Sequence, residues 1–531
     1  MIQLYPHQED AVAWMTRAEN RPRMVPDQPH GGILAHAMGL GKTISMLSLI
    51  MSQPPGKTLV VCPKSLLLQW SREARLVGFP DPNVIMYHGA GRKYVDTPGH
   101  TLVLTTFDIV RIEFNTTGLR VLSDTRWDRV VLDEAHRICE QSSKTSRAIQ
   151  SLRSRNRWCV TGTPFKNGIS DLIALSRFLM IAPYCNSTWW RMFGQSPTKL
   201  SEWRNLFLHI RDKSELKDLP PVTHHNIKVI LPPVERRMYD SLAKIDWRPQ
   251  DTDDEQHELL KILRQRQATN HPLLISASHN TAHVMKGGHG CVGCGAPDTT
   301  TTCGVHRLCT KCNDEPLCVG CIIKGLRPEE GEAWVHSAKT QALWNYMRET
   351  VRVSETRTKM VVFSQWTSCL DLLGCMLRYH GVGFECYDGR VNSTDEREDV
   401  IGRFRDLPGC SVLLTSLGAG GEGVNLTFAT HVVLMEPYWN AAVEQQAVDR
   451  LHRIGQKHTT HVVRFIADNT IEEWVQDIQT KKTSELQRVL FGNTNVVSKP
   501  VNYIREQFDD LDCKRSLGLG AFIRAPKRIK N

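Results

Sequence analysis

The sequence predicts an α/β protein built as two parallel-sheet lobes, with a helical insertion and a small cysteine-rich module between them. Three observations carry this. Apolar strand-like runs alternate with helical patterns over residues 1–183, and the same alternation resumes from about 339; such alternation builds a parallel sheet with helices on both faces. Strand signals fade over 184–275, where Trp-rich segments such as "STWWRMF" and "LSEWRNLFLHI" suggest a helical insertion. Residues 276–332 then collect seven of the 16 cysteines among glycines and threonines. The expected division is 1–183, 184–275, 276–332, 333–490 and a basic tail, 491–531, ending in "IRAPKRIKN".

Composition sets the bounds. A chain of 531 residues is too long for one ordinary core. With 41% apolar and 23% charged residues it reads as a globular protein. No apolar run reaches the roughly 18 residues that a membrane helix needs, so no membrane partner is expected. The start, "MIQLYPHQED", has no basic region leading into an apolar one, so no secretory signal is expected. The net charge of +10 is compatible with a polyanionic partner. Cysteines outside the cluster read as reduced, mostly buried thiols.

In the first lobe the strand candidates are "TLVVCP" (58–63), "TLVLTT" (101–106), "RVVLDE" (129–134) and "RWCVTGTP" (157–164). Ahead of them stands "GGILAHAMGLGKTIS" (31–45). Its Ile33-Leu34-Ala35 reads as a short buried strand and "TISMLSLIM" as the helix that follows. The turn Gly39-Leu40-Gly41 can aim backbone N–H groups at an anion, and the helix N-terminus favours negative charge. Lys42 can reach β- and γ-phosphates, and the Thr43 hydroxyl can ligate Mg²⁺. The strict phosphate-loop pattern wants Gly where His36 stands, so the turn alone does not decide. The adjacent acids Asp133 and Glu134 follow an apolar strand, at the end where open α/β sheets bind ligands. There Asp133 would hold Mg²⁺, usually through water, and Glu134 would orient the attacking water. Together the two motifs read as an ATP site.

The second lobe is expected from "MVVFS" (360–364), "CSVLLTS" (410–416), "THVVLME" (430–436) and "HVVRFI" (461–466). Between lobes the cysteine spacing is Cys291-x2-Cys294-x8-Cys303-x2-His306-x2-Cys309-x2-Cys312-x5-Cys318-x2-Cys321. Eight such ligands can bind two tetrahedral Zn²⁺ ions. A segment with so few apolar residues could not otherwise make a core.

The motifs "GLGKT", "DEAH", "VTGTP" and "QAVDRLHRIGQ" occur in that order across the two lobes. With "LLLQW" (66–70), "LRQRQATNHPLLI" (263–275) and the long stretch 413–456, they resemble the motor of superfamily-two helicases, and within it the Swi/Snf-type ATPases. The resemblance covers roughly residues 1–490 and implies two RecA-like lobes and a DNA-dependent ATPase. It places Gln8 at the adenine, Lys42 and Thr43 at phosphate and metal, and Asp133 and Glu134 at metal and water. Thr161 and Thr163 would couple hydrolysis to lobe movement. Arg450 and Arg453 would reach the γ-phosphate from the second lobe, with Gln456 beside the nucleotide. Gly421, Gly423 and Asn425 would link nucleotide to DNA. An arginine supplied across a cleft completes a site only when the lobes close, so ATP would close them and hydrolysis reopen them. Strand-end Lys and hydroxyl residues suit phosphate oxygens, which marks Lys64, Thr105, Thr106, Ser364, Gln365 and Ser416 as candidate DNA contacts beside Asn425.

Two departures from the family pattern stand out. The family usually has an acidic pair where this chain has His36 and Ala37; with Lys42, Asp133 and Glu134 intact an active ATPase is still expected, and the departure leaves its rate open. The order of seven Cys with a His in fourth place resembles a RING finger, as in the Swi/Snf branch that includes helicase-like transcription factor and acts in post-replication repair. That resemblance implies interleaved ligands: Cys291, Cys294, Cys309 and Cys312 on one ion; Cys303, His306, Cys318 and Cys321 on the other. Ligase RINGs usually carry an apolar residue beside the second ligand and a Pro between the last two. Here Gly295 and "VG" stand in those places. The expectation is therefore an ATP-driven translocase on duplex DNA with ATP, Mg²⁺ and Zn²⁺ as cofactors, remodelling nucleosomes or transcription complexes in the nucleus or at a viral replication site. The alternatives are a RING-type ubiquitin ligase partnered by a ubiquitin-conjugating enzyme, and an ATP-gated DNA-binding scaffold with little turnover.

Overall fold

The computed structural model describes residues 3–21, 29–89, 91–94, 97–116, 120–140, 143–162, 169–193, 196–213, 216, 219–244, 254–276, 300–301, 307–308, 336–353, 358–391, 394–420 and 424–491. Two parallel sheets organise them. The first joins β1 (His30–His36), β2 (Lys57–Cys62), β3 (Val84–Met86), β4 (Thr101–Thr106), β5 (Arg126–Asp133), β6 (Arg153–Val160) and β7 (Leu208–Arg211) in the order β3-β4-β2-β5-β6-β1-β7. The second joins β8 (Val222–Val229), β11 (Met360–Ser364), β12 (Gly383–Tyr387), β13 (Cys410–Ser416), β14 (His431–Leu434) and β15 (Thr460–Ala467) in the order β12-β13-β11-β14-β15-β8. Between them β9 (Thr300–Thr301) and β10 (Arg307–Leu308) form a two-stranded antiparallel ladder. The eight expected zinc ligands lie outside the described residues, as does Thr163.

Runs such as "TLVV" and "VVFS" are buried along their length because helices cover both faces of each sheet. In the first lobe one core layer packs Leu47, Ile50 and Trp70 behind the sheet, and the other packs Phe107, Ile149 and Leu175 in front. The second lobe repeats the arrangement, with Leu373 and Met376 on one side and Phe404 and Leu451 on the other.

Residues 184–275 are not the purely helical insertion expected from the sequence. β7 completes the first sheet beside β1, and β8 forms an edge of the second beside β15. Both are edge strands, and both are rich in polar residues: "LHIR" and "VTHHNIKV". A strand with one open edge and a wet face lacks the apolar run by which central strands are recognised. The crossing between lobes is thus the short segment 212–221.

Helix α1 (Pro6–Glu19) is anchored to the first sheet by a buried ion pair. Arg129 clasps Glu19 through Nε–Oε1 at 2.6 Å and Nη2–Oε2 at 2.5 Å, and Trp158 Nε1 donates to the same carboxylate at 2.8 Å. Removing one partner would strand a buried charge, at a cost of about 3–5 kcal/mol. This clasp fixes the helix that carries Gln8. In the second lobe Lys339 and Glu472 are fully buried and paired at 2.6 Å, and Asn270 links Lys339 to Glu436. Glu436 accepts from the Gln365 N–H at 2.6 Å, so the network shapes the loop after β11. Arg266 lies between the Trp366 and Trp439 rings, 5.4 and 4.6 Å from their centroids. Among the described residues no helix is long and apolar enough to cross a membrane.

Candidate active site

The carboxyl ends of β5, β6 and β1 stand side by side, and the motifs of the first lobe follow from that order. The loop after β1 turns through Gly39 and Gly41 and enters helix α2 (Lys42–Ser52). Gly41 sits in the left-handed region at φ 73°, which an L side chain resists. Gln8 and His7 close over this turn from α1. The Gln8 Nε2 and His7 Nε2 atoms lie 3.3 and 3.0 Å from the Leu40 carbonyl. Tyr5 N–H donates to Gln8 Oε1 at 3.0 Å, which fixes the amide orientation.

Lys42 folds back into the loop, donating to the His36 and Ala37 carbonyls at 3.0 and 3.3 Å. Burial pulls its ammonium below the ordinary range, and Glu134 and Asp133 oppose that pull. Asp133 ends β5 and is buried, accepting from Trp70 Nε1 at 2.8 Å and from the Glu134 N–H at 2.9 Å. Burial and the charge of Glu134 raise its carboxyl. Burial works on Glu134 too, but His136, Lys42 and Arg450 hold it below the usual carboxylate range. Its Oε2 lies 3.2 Å from His136 Nδ1. The backbone of Glu134 is left-handed, at φ 51°.

The second lobe closes the site. Arg453 packs its Cβ against Gly39, and the charge of Arg450 acts on both Lys42 and Glu134. Arg453 Nε is buried and has no partner among the described residues. Two acids and three cations thus converge on one turn, with a buried donor left over. This set fits a Mg²⁺–nucleotide: Thr43 and Asp133 as metal ligands, Lys42 and the two arginines on phosphates. Glu73, in α3 (Leu67–Val77), stands beside Thr43 and Arg453 and is held by Gln69 at 2.7 Å. Trp70, in "LLLQW", and Glu73 are not among the residues that the sequence motifs single out. The signal was present: Trp70 and Glu73 are one helical turn apart and face one side.

Other expected residues fall elsewhere. The Gln456 amide makes bonds to Ala429, Leu451, Lys457 and His458 within its own lobe. These bonds tie the loop after the arginines. Of the DNA candidates, Thr105, Thr106, Ser364 and Ser416 are the last residues of β4, β11 and β13, Lys64 and Gln365 come just after β2 and β11, and Asn425 lies between β13 and β14. Lys64 and Asn425 are exposed, while Ser416 and Gln365 are half-buried. Thr105 donates inward to the Tyr87 carbonyl, Thr106 caps a helix through the Ile109 N–H, and Ser364 donates to Glu436. Those three hydroxyls serve the strand ends. Gly421 and Gly423 lie outside the described residues.

With this geometry in view, the comparisons with known proteins are direct. Residues 7–274 match the SNF2-related domain and residues 338–455 the helicase conserved C-terminal domain. The chain belongs to the SNF2 family. Among curated SNF2-type relatives it is 32% identical to DNA repair protein RAD5B of Arabidopsis thaliana, over 87% of this chain and 45% of that one. It is 31% identical to the "Probable global transactivator" of Orgyia pseudotsugata multicapsid polyhedrosis virus, over 92% of this chain and 91% of that one. The chain spans about half the length of repair relatives such as RAD5B and Schizosaccharomyces pombe rad8 (45% and 51%). A solved structure, the Sulfolobus solfataricus SWI2/SNF2 ATPase core in complex with dsDNA, is 22% identical over 96% of both chains, with a TM-score of 0.37.

The family's usual acidic pair is replaced here by a histidine chain. His36 is fully buried, its Nε2 lies 2.8 Å from His209 Nδ1, and His209 Nε2 lies 3.1 Å from Asp10 Oδ2. Burial, then His209 and Lys42, push His36 down to about 2, so it stays neutral in the fold. An unfolded His binds a proton below about 6.5. Stability is therefore full above pH 6.5 and falls as pH drops, by about 2 kcal/mol at pH 5 from this residue alone. Thermal melts between pH 5 and 8 should show this slope, and His36→Asn should flatten it. An unchanged slope in that variant would mean that His36 is protonated in the folded protein.

Proposed function

We propose that this SNF2-family chain hydrolyses ATP when engaged on duplex DNA and uses the opening and closing of its two lobes to move along it. The observation that carries the reading is the packing of Arg453 of the second lobe against Gly39 of the first, with the charge of Arg450 acting on Lys42 in the same turn. ATP and Mg²⁺ supply the phosphoryl chemistry when bound. The chain's own residues do the rest. Lys42 holds the phosphates and Thr43 and Asp133 the metal. Glu134, kept ionised by His136 and Lys42, orients water for attack. Arg450 and Arg453 stabilise the charge that grows on the transferred group.

Duplex DNA would lie along the shared strand-end rim, against Lys64, Gln365, Ser416 and Asn425. Phosphate contacts of this kind are sequence-blind and weaken with salt. The remodelled complexes would be nucleosomes or transcription complexes, in the nucleus or at a viral replication site; the repair relatives and the viral relative support that range. The spacing from Cys291 to Cys321 supports two Zn²⁺ ions, and the resemblance to a RING finger implies that their ligands interleave. Docking of a ubiquitin-conjugating enzyme there rests on the ligand order alone.

The test is ATP turnover by the purified, zinc-loaded protein without DNA, with single-stranded DNA and with duplex. Turnover is expected to rise at least about tenfold with duplex and to fall with salt, and metal analysis to give two zinc ions per chain. No turnover under any condition would reject the motor and leave the scaffold reading.

A further inference from the structure

Arg266 lies in the helix Asp254–Asn270 and is 2% exposed. The faces of Trp366 and Trp439 flank its guanidinium, which limits how the planar fork can turn. The fork directs its hydrogens to the two loops that leave β11 and β14. Nη2 donates to the Pro437 carbonyl at 2.7 Å. The other group it meets is the Gln365 side chain. The amide orientation that satisfies both residues places Gln365 Oε1 2.9 Å from Nη2 and 3.2 Å from Nη1. An amide has one acceptor end and one donor end. With two N–H groups on Oε1, the end that Gln365 keeps for a ligand is its NH₂.

The backbone of the same residue is held from the same helix. The Gln365 N–H donates to Glu436 Oε1 at 2.6 Å. Asn270, one turn after Arg266, donates to Glu436 Oε2 at 2.7 Å. Ser364 Oγ donates to that carboxylate as well, at 3.1 Å. One helix face thus fixes both the N–H and the side-chain amide of Gln365. Gln365 is half-buried and comes directly after β11, at the carboxyl end where open parallel sheets bind ligands. The two groups that the fork holds are neutral, so what it supplies there is orientation. A Met of similar length would fill the space between the rings and leave the amide able to turn over.

We propose that Arg266 is a positioning residue for DNA binding. By holding Gln365 Oε1 it turns the amide so that its NH₂ meets a backbone phosphate oxygen of duplex DNA. A phosphate oxygen accepts, so an amide turned the other way would set oxygen against oxygen. The contact is neutral and sequence-blind. This rests on the DNA-engaged reading above.

The experiment measures the affinity of the full, zinc-loaded chain for a short labelled duplex across a salt series. It compares wild type, Arg266→Met, Arg266→Lys, Gln365→Ala and the double variant R266M/Q365A, with ADP affinity and thermal melts as controls. Gln365→Ala should bind the duplex about tenfold more weakly, the worth of one hydrogen bond to a charged acceptor. Arg266→Met should lose about 3- to 10-fold, because the amide it frees is misoriented only part of the time. The double variant should match Gln365→Ala within about twofold, since Arg266 acts through the amide. Salt slopes should match wild type throughout, because the lost contact displaces no counterion. Arg266→Lys should lose about threefold or more, since one ammonium does not reproduce the fork. ADP affinity should stay within about twofold of wild type in every variant, because the nucleotide turn is untouched. Wild-type duplex affinity in Arg266→Met overturns the proposal, and so do losses that multiply in the double variant. A salt slope shallower by about one in Arg266→Met also overturns it, because Arg266 would then be the phosphate contact itself. If Arg266→Met does not fold, Arg266→Lys, which keeps the buried charge, takes its place, and wild-type duplex affinity in it overturns the proposal equally. A wild type that does not bind duplex rejects the DNA reading itself, and this inference with it. A wild type that binds, with any of the overturning results above, rejects this inference alone.

Discussion

Lys42→Ala is expected to lower ATP turnover by about 10²–10³-fold, the usual cost of removing one preorganised donor from a charge-stabilising site. The geometry says why nothing else would replace it. Lys42 is the first residue of α2, and its ammonium is held by the carbonyls of His36 and Ala37 at 3.0 and 3.3 Å. Those carbonyls end β1, so the cation is stored at the foot of the loop, within a short swing of any phosphate cradled by Gly39-Leu40-Gly41. Arg450 and Arg453 also bring positive charge, but from the other lobe, and only when the lobes are closed. The substitution should spare the fold, because the lysine's two bonds go to carbonyls of a strand that is already paired on both sides, with β6 and β7. Steady-state turnover with saturating duplex DNA, read beside a thermal melt, checks both halves. Turnover within about tenfold of wild type would mean that the loop after β1 does not hold the reacting phosphates.

How much of this was legible in the sequence depends on what each residue had to signal. Central strands announce themselves, because a strand buried on both faces must be apolar along its length; "TLVV", "RVVL" and "VVFS" did so. Edge strands do not. β7 and β8 are short of apolar residues, with His209 and Arg211 in one and exposed His224 and His225 in the other, and they hid inside a segment that otherwise reads as helix. The consequence reached the site, because β7 runs beside β1, which leads into the phosphate loop. The phosphate-loop lysine and the acidic pair were visible because their chemistry is local: a turn, a cation, two acids at a strand end. Trp70 bonding Asp133, and Glu73 beside Thr43, could be found only once the fold set α3 against the end of β5. Gln456 shows the reverse case. It adjoins a functional motif in sequence, yet its amide is fully engaged in holding its own loop. Proximity along the chain stands in for function only while the backbone keeps one face toward the site, and the turn at Gly455 changes that face.

Gly39→Ala should lower kcat about 100-fold while leaving ADP affinity nearly intact, which would separate lobe closure from nucleotide binding. Gly39 has φ 86°, and a Cβ built there would stand 2.5 Å from Arg453 Cβ and 3.2 Å from its Cα. Two costs follow. An L residue in the left-handed region carries about 1–2 kcal/mol of strain. The clash adds to it, and it cannot be relieved by a side-chain rotation because the opposing atoms lie at the root of Arg453. The second lobe has to back away, and the arginines with it. Gly41 makes the contrast. Its Cβ would meet Gln8 Nε2 at 2.1 Å, the far end of a flexible side chain in the same lobe. Gly41→Ala should therefore weaken nucleotide binding through Gln8 and the turn, and raise KM more than it lowers kcat. Parallel measurements of kcat, KM and ADP affinity for the two alanine variants would read the difference. Gly39→Ala with turnover within about twofold of wild type would show that hydrolysis does not pass through the closed arrangement, and that the contact between Gly39 and Arg453 belongs to another stage of the cycle.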